Sequence, residues 1–580
     1  MQDLVLAQVA KFGDAANFSC GVAAITGLLS HWLYFIHGPR SMDAASILVF
    51  HVVALSMLLA RTVLSYGFYD GLVVYAAISG SYFAALYTSI GIYRIFFHPL
   101  RKFPGPFPAR ITKFYSTWAN RDWKLHDRIL KLHEKHGDVV RLGPNEISVL
   151  DVDTYTKFHS PQTKVTKRWT GFYGALASKG ELNLDAIWEN EAHRDRRRVW
   201  DTALGTKALE RYEEETRAVL RAWLGRIEEV EGKPIDTTLY AKLIPFDNMG
   251  RVAFSHNFGT VQDGRDDRML ELIEASFKLA ARIGGISWPL MLLSSIPRFG
   301  MVKEFEDLGA RFVDERMATD SEQSHDMMKY FLDDYKSEKP KSFGNVNVLY
   351  SDSLAILVGA TDTISCALGY SFYFLAKDAK LRQRLYDEIA PVHGKTVSGE
   401  FAVADLAKID YLEAFINETL RMHHPAATNG PRVVPPEGVT LADGTYINGG
   451  VTVFTPLHVY QRSSKYWKQP HEFIPERWTT RPDLIIDRRA FVPFHYGKEY
   501  IVVTSKVRLT FEPGRFDCVG KRLAMNVIRM TVAYTLWNYD FEVAPGEDAE
   551  RLHRESKFQL IVKPGNLKCV FKRRPEAGSS

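Results

Sequence analysis

Cysteine is scarce. The chain of 580 residues has four: Cys20, Cys366, Cys518 and Cys569. None stands in C-x-x-C spacing, which argues against a zinc ribbon and against a disulfide framework. A mostly reducing compartment fits, and any functional cysteine acts alone. Charge of one sign is equally sparse. Lys and Arg total 73 against 68 Asp and Glu, a net charge of +5. No long basic block runs through the chain, so nucleic acid is not the indicated partner. There is no internal repeat, and only the last few residues look disordered.

What the chain has in excess is apolar sequence at its start. Residues 18–36, 44–60 and 72–97 each approach or exceed the length that crosses a hydrocarbon core of about 30 Å. The first run lacks a basic leader and is followed by two more, so it does not read as a cleaved signal. These 97 residues read as a membrane anchor with up to three transmembrane helices. Interruptions at Gly27, His51 and Gly80 keep buried or re-entrant helices as an alternative. Arg94, Arg101, Lys102 and Arg110 cluster after the third run. The positive-inside tendency puts that side, and everything downstream, on the cytosolic face, with the N-terminus in the lumen.

A proline-rich segment, 98–110, follows. Proline fixes φ and removes donors, so it reads as a stiff, extended, non-helical joint between anchor and soluble domain. Beyond it, 111–580 is mostly helical. Helices are expected over 122–136, 188–202, 346–377, 411–423 and 519–537. A hairpin is expected over 139–150, and short strands with Gly-rich turns over 433–454. The fold class is therefore mainly α with a small β region.

Four local patterns carry chemistry. Gly359-Ala-Thr-Asp362-Thr363 interrupts the long apolar helix. Small residues there let a flat ligand near the backbone, and Asp362 and Thr363 compete for backbone hydrogen bonds, which favours a kink. A carboxylate and a hydroxyl facing a cavity would make a proton relay. The plainer alternative is a polar patch packed against neighbours. Glu418-Thr-Leu-Arg421 places an acid and a base at i, i+3 on one helix face, a buried pair that fixes geometry. In Pro475-Glu-Arg477-Trp478, Arg477 can complete a network with that pair, or the string is a surface turn. Finally, Cys518-Val-Gly520 opens the last helix. A helix N-terminus favours thiolate, and Gly520 lets the backbone pass close to a flat group. A structural cysteine is the alternative.

The order of these four patterns resembles the cytochrome P450 family, from about His98 to the end, and the run Phe491-Val-Pro-Phe-His-Tyr-Gly497 is similar to its fungal microsomal members. The resemblance implies the P450 fold behind N-terminal transmembrane helices and a heme b cofactor. Cys518 would be the axial ligand to the heme iron, pushing electron density onto it to favour O–O cleavage. Asp362 and Thr363 would deliver protons for dioxygen activation, and Glu418, Arg421 and Arg477 would be structural. Propionates need cationic partners. His193 and Arg197, in His193-Arg-Asp-Arg-Arg-Arg198, match one family position for these and Arg432 another; alternatively, part of the 193–198 run is a solvated basic face that docks an acidic reductase. The implied reaction inserts one oxygen atom from O2 into a lipophilic small molecule. Electrons would come from NADPH through an NADPH-cytochrome reductase at the endoplasmic reticulum membrane, and the fungal-type resemblance implies a place in secondary metabolism, by analogy. A heme-free inactive product and an O2-independent heme-thiolate isomerase or dehydratase are the alternatives.

One departure stands out. The family spaces the Phe and the Cys of the ligand loop by seven positions; Phe494 and Cys518 are 24 apart, an excess of 17. The excess reads as a translated intron. Gly497-Lys498 can be encoded with a GTAAG donor, Leu509-Thr510 with a CTAAC branch signal, and Pro513-Gly514 with a CAG acceptor. Excision would remove residues 498–514 in frame and restore the spacing. The rival is a real insertion, since Phe511 and Gly514 also satisfy the spacing to Cys518. Either way Phe516 occupies the usual basic position before the cysteine, with Arg515 adjacent, which puts one propionate contact in doubt.

Overall fold

Secondary structure follows the apolar periodicity closely. The computed structural model describes residues 2–38, 40–160, 163, 165, 173, 177–230, 232–283, 285–319, 323–393, 399–495, 502–504, 507–509 and 517–575. Three apolar helices open the chain: α1 (Gln2–Ser30), α2 (Ala44–Tyr66) and α3 (Phe68–Ile92). Each belongs to a segment long and apolar enough to cross a membrane. The glycine and histidine interruptions are packing features. A Cβ at Gly27 would collide with the Tyr82 carbonyl, so Gly27 is where α1 and α3 close up. His51 shares a hydrogen bond with the Tyr82 hydroxyl at 3.1 Å, and His31 with Ser89 at 2.7 Å.

The joint after α3 differs from the extended spacer expected. Pro99–Lys102 is a 3-10 turn and Phe107–Ile111 a short α-helix. Proline at the first helical position is pre-set for such turns, because its fixed φ fits and its missing N–H was unsatisfied anyway. Leu100 and Phe103 are buried with Ile147 and Val149. The Arg141 N–H donates to the Pro104 carbonyl at 2.7 Å.

The soluble part contains α4 (Leu125–His136), α5 (Asn190–Ala203), α6 (Val346–Lys377), α7 (Asp410–Met422) and α8 (Lys521–Asn538), with α7 and α8 packed against α6. By length and composition α6 could also span a bilayer, but its most apolar window is 67% buried inside the protein against 6–11% for the three N-terminal segments. It is a core helix. Its Leu368 shares one core cluster with Trp223 and Leu536, all fully buried; burying side chains of this size contributes about 1.5–3 kcal/mol each. The Trp223 indole N–H is satisfied by Thr535 Oγ1 at 3.1 Å. The main sheet has four strands in the order β1 (Val139–Gly143), β2 (Glu146–Val149), β4 (Thr452–Phe454), β3 (Arg432–Val433). β1 and β2 form the expected antiparallel hairpin, and β2 runs parallel to β4 with Ile147 opposite Val453. The remaining β structure is small antiparallel pairs and one three-stranded sheet at the C-terminal end. The architecture is mainly α with minor β, as the sequence indicates.

Candidate active site

Cys518 lies just before α8, on the wall of a cavity of about 2000 Å³. Gly520 caps the helix, and its carbonyl accepts the first helical bond, from the Ala524 N–H at 2.9 Å. A Cβ at Gly520 would touch only Cys518 Sγ, at 3.9 Å. The glycine therefore answers to no protein neighbour and leaves the backbone open beside the sulfur. Burial pushes the Cys518 thiol up, while the Gly520 N–H pulls it down. The helix start acts in the expected direction, but desolvation outweighs it.

The same cavity is lined by Gly359, Ala360 and Thr363 from α6, by His193 and Arg197 from α5, and by Arg432. Thr363 Oγ1 donates to the Gly359 carbonyl at 2.7 Å. That bond lies along the helix and leaves its ladder intact, so α6 runs as unbroken α-helix where competition suggested a kink. Asp362 is not among the lining residues. It is buried on another side of α6, with Oδ1 at 3.5 Å from Lys563 Nζ. Its Oδ2 has no hydrogen-bond partner, and burial raises its pKa against the pull of Lys563.

The cationic positions are held firmly. Arg197 Nη1 donates to the backbone carbonyl and to Oδ1 of Asp517, both at 2.9 Å, and its Nε to Asp201 at 2.8 Å. The residue thus grips the ligand loop one position before Cys518. Arg432 is buried on β3 and donates to the Tyr173 hydroxyl at 3.0 Å. Within the 193–198 run, Arg194 and Arg198 face solvent. Arg196 turns inward: its Nε donates to Asp352 Oδ2 at 2.5 Å. Asp352, fully buried on α6, also accepts from the Leu184 N–H and the Trp200 indole. This pair locks α5 to α6, and reading the run by charge missed it; its signal is the i, i+3, i+4 spacing of Arg196 with Val199 and Trp200.

The Glu418 network is complete. Arg421 forks onto both carboxylate oxygens at 2.8 Å, and Arg477 Nε donates to Oε1 at 2.8 Å. The Ile474 N–H and the Trp478 indole add bonds at 2.9 and 3.0 Å. All three charged side chains are buried. Arg421 in turn holds the Gln461 and Pro470 carbonyls at 2.8 Å.

At the ligand loop, the Cys518 N–H donates to the Phe494 carbonyl at 3.1 Å. The chain leaves at Phe494 and returns to it at Cys518. Of the excess 498–514, the backbones of Val502–Thr504 and Val507–Leu509 pair antiparallel; its other residues, together with Arg515 and Phe516, lie outside the described residues.

A helical fold with a lone cysteine before α8, a Gly/Thr-lined core helix on the same cavity and a buried Glu–Arg–Arg network defines a heme-thiolate class of protein. The chain belongs to the cytochrome P450 family: the family model described as Cytochrome P450 matches residues 104–571. Cytochrome P450 monooxygenase FCK2 of Fusarium pseudograminearum is 30% identical over 98% of this chain and 100% of its own length. Cytochrome P450 monooxygenase orf5 of Eupenicillium brefeldianum is 30% identical over 84% of this chain and 94% of its own length. Tryprostatin B 6-hydroxylase of Aspergillus fumigatus is 28% identical, covering 94% of each chain. The protein is a cytochrome P450 monooxygenase, an oxidoreductase.

Proposed function

We propose that Cys518 is the axial thiolate ligand of heme b, and that the enzyme oxygenates a lipophilic small molecule in fungal secondary metabolism. The observation that carries this is the exposure of Cys518 to a large cavity, beside a glycine with open space before it, with Thr363 lining the same cavity. The donor set fits the group: a single thiol for the iron, and His193, Arg197 and Arg432 for the propionates. Heme, when bound, supplies the redox chemistry that activates dioxygen.

The chain's own residues do the rest. Thr363 holds a hydroxyl on the cavity wall. Asp362, its pKa raised by burial and one oxygen unpartnered, stands within one residue of that hydroxyl as the group to pass a proton towards it. Arg197 fixes the Asp517 carbonyl and so the approach of Cys518. The Glu418 network anchors the segment that leads to the loop. The cavity continues from Cys518 to the N-terminal helices, where Leu48, Leu55 and Phe83 line it. That continuity supports entry of substrate from the bilayer. The anchor would lie in the endoplasmic reticulum membrane, with residues 111–580 on the cytosolic face and electrons arriving from NADPH through a membrane-bound reductase. The relative named for hydroxylating tryprostatin B supports the reaction type.

Residues 498–514 are, on this reading, a translated intron. The Phe494–Cys518 hydrogen bond supports it, because removing an excursion that starts and ends at one place leaves its base closed. The test is a reduced carbon-monoxide difference spectrum of three chains: this sequence, the same chain without 498–514, and the Cys518→Ser variant. A strongly red-shifted Soret band in either of the first two, absent from the third, is the expected result. No band in any of them sinks the assignment. A band only in the shortened chain, with a spliced transcript, establishes the intron.

A further inference from the structure

A second polar cavity, of about 400 Å³, lies apart from the thiol. It is lined by an unusual number of histidines, among them His126, His423, His458 and His553. Three groups converge on one point. His126 and Asp127 come from the first turn of α4, and His458 from the short helix Leu457–Tyr460 after β4. Asp127 Oδ1 stands 3.6 Å from His126 Nε2 and 3.2 Å from His458 Nε2. All three ligand atoms lie within 4.8 Å of one another.

These distances are those of ligands around an ion. With bonds of about 2.0–2.2 Å, tetrahedral ligand atoms stand roughly 3.3–3.5 Å apart. The orientation points the same way. His458 is 6% exposed, and its Nε2 has no hydrogen-bond partner despite its nearness to Asp127. At 3.2 Å from the carboxylate oxygen without an aligned hydrogen bond, that nitrogen stands close enough to share an ion with Asp127. A buried nitrogen left without a partner is costly to desolvate. Arg462 also lines the cavity, but its Nε is engaged by the Met422 carbonyl at 3.0 Å.

We propose that His126, Asp127 and His458 bind a divalent transition-metal ion, Zn2+ foremost, that ties α4 to the turn following β4. Two imidazoles and one carboxylate are a zinc ligand set, and imidazole-rich sites disfavour Mg2+ and Ca2+. The fourth position faces the cavity, where the buried His423 Nε2 also lacks a partner. The ion is a staple between segments distant in sequence, independent of the heme assignment.

The probe is Zn2+ itself. Tag-free, full-length chain in detergent is loaded with Zn2+, dialysed against a weak chelator, and its retained zinc counted by elemental analysis. One equivalent is expected in the unsubstituted chain and in His553→Gln, a cavity-lining control. His126→Gln and His458→Gln are each expected to lose it while keeping their helix content by circular dichroism. If the unsubstituted chain retains no zinc, or if the two variants retain as much as it does, the site does not exist. Should either variant unfold, X-ray absorption on the zinc of the unsubstituted chain decides: two imidazoles and an oxygen in the first shell support the site, and any shell with fewer than two imidazoles refutes it.

Discussion

Glu418 and Asp362 are both carboxylates sunk into helices of one core, and their surroundings are opposites. Glu418 receives five hydrogen bonds from two arginines, an indole and a backbone N–H. Asp362 has one distant lysine and an oxygen with no partner. A carboxylate saturated with donors is held in place and serves as a fixed point. One left half-bonded in a dry site gains from keeping a proton. Sequence position alone does not separate them, since both sit beside polar neighbours in apolar helices. The number of donors that reach each one does.

That contrast can be broken or sharpened at four places, in falling order of effect. Glu418→Gln leaves Arg421 and Arg477 buried without their counter-charge, a loss of about 3–5 kcal/mol; thermal unfolding should show a chain that is barely folded or not recovered. Asp362→Asn should do the reverse: keep the fold and cut turnover by about 10²–10⁴-fold, measured as product formed per unit of folded protein. Its stability profile also has a sign. An acid whose pKa is raised by folding contributes stability below the ordinary carboxylate range and withdraws it as pH climbs towards the raised value. Melting temperatures of Asp362→Asn should therefore gain on the parent chain as pH rises through that window, and parallel curves would mean that folding does not raise the Asp362 pKa. Thr363→Ala removes a hydroxyl already satisfied inside its helix. Stability should change by no more than about 0.5 kcal/mol and turnover should fall about tenfold; an unchanged rate removes Thr363 from the proton path. The smallest effect belongs to Lys563→Met, which withdraws the cation paired with Asp362. The acid's apparent pKa, read from the pH–rate profile, should climb further above the ordinary carboxylate range.

Much of this was legible in one dimension. The bounds of α6 match the apolar run, and those of α4, α5, α7 and α8 fall within three residues of the expected spans, because amphipathic periodicity is a local signal. The Glu418–Arg421 pair was readable for the same reason, being one turn apart. What escaped were partnerships between remote segments: Arg196 with Asp352, Arg432 with Tyr173, Lys563 with Asp362. No spacing rule links such positions, and only the packed fold brings them together. The joint after α3 was misread for a different reason. Proline content says where φ is fixed, and a fixed φ near −65° serves a 3-10 turn as well as an extended strand.

That joint has a mechanical consequence. Arg94, at the end of the third apolar segment, donates to the Ile111 carbonyl at 2.7 Å, and the buried Arg141 reaches back to the Arg94 carbonyl at 3.4 Å while holding the Pro144 carbonyl at 2.6 Å. The globular part is thus welded to its anchor and does not swing on a tether. A welded body on a membrane keeps one face towards the bilayer and turns only about the membrane normal. Its encounters with other membrane-bound proteins become a search in two dimensions between pre-oriented surfaces, in which linker length sets no effective concentration and the angle of the weld decides which surface is presented.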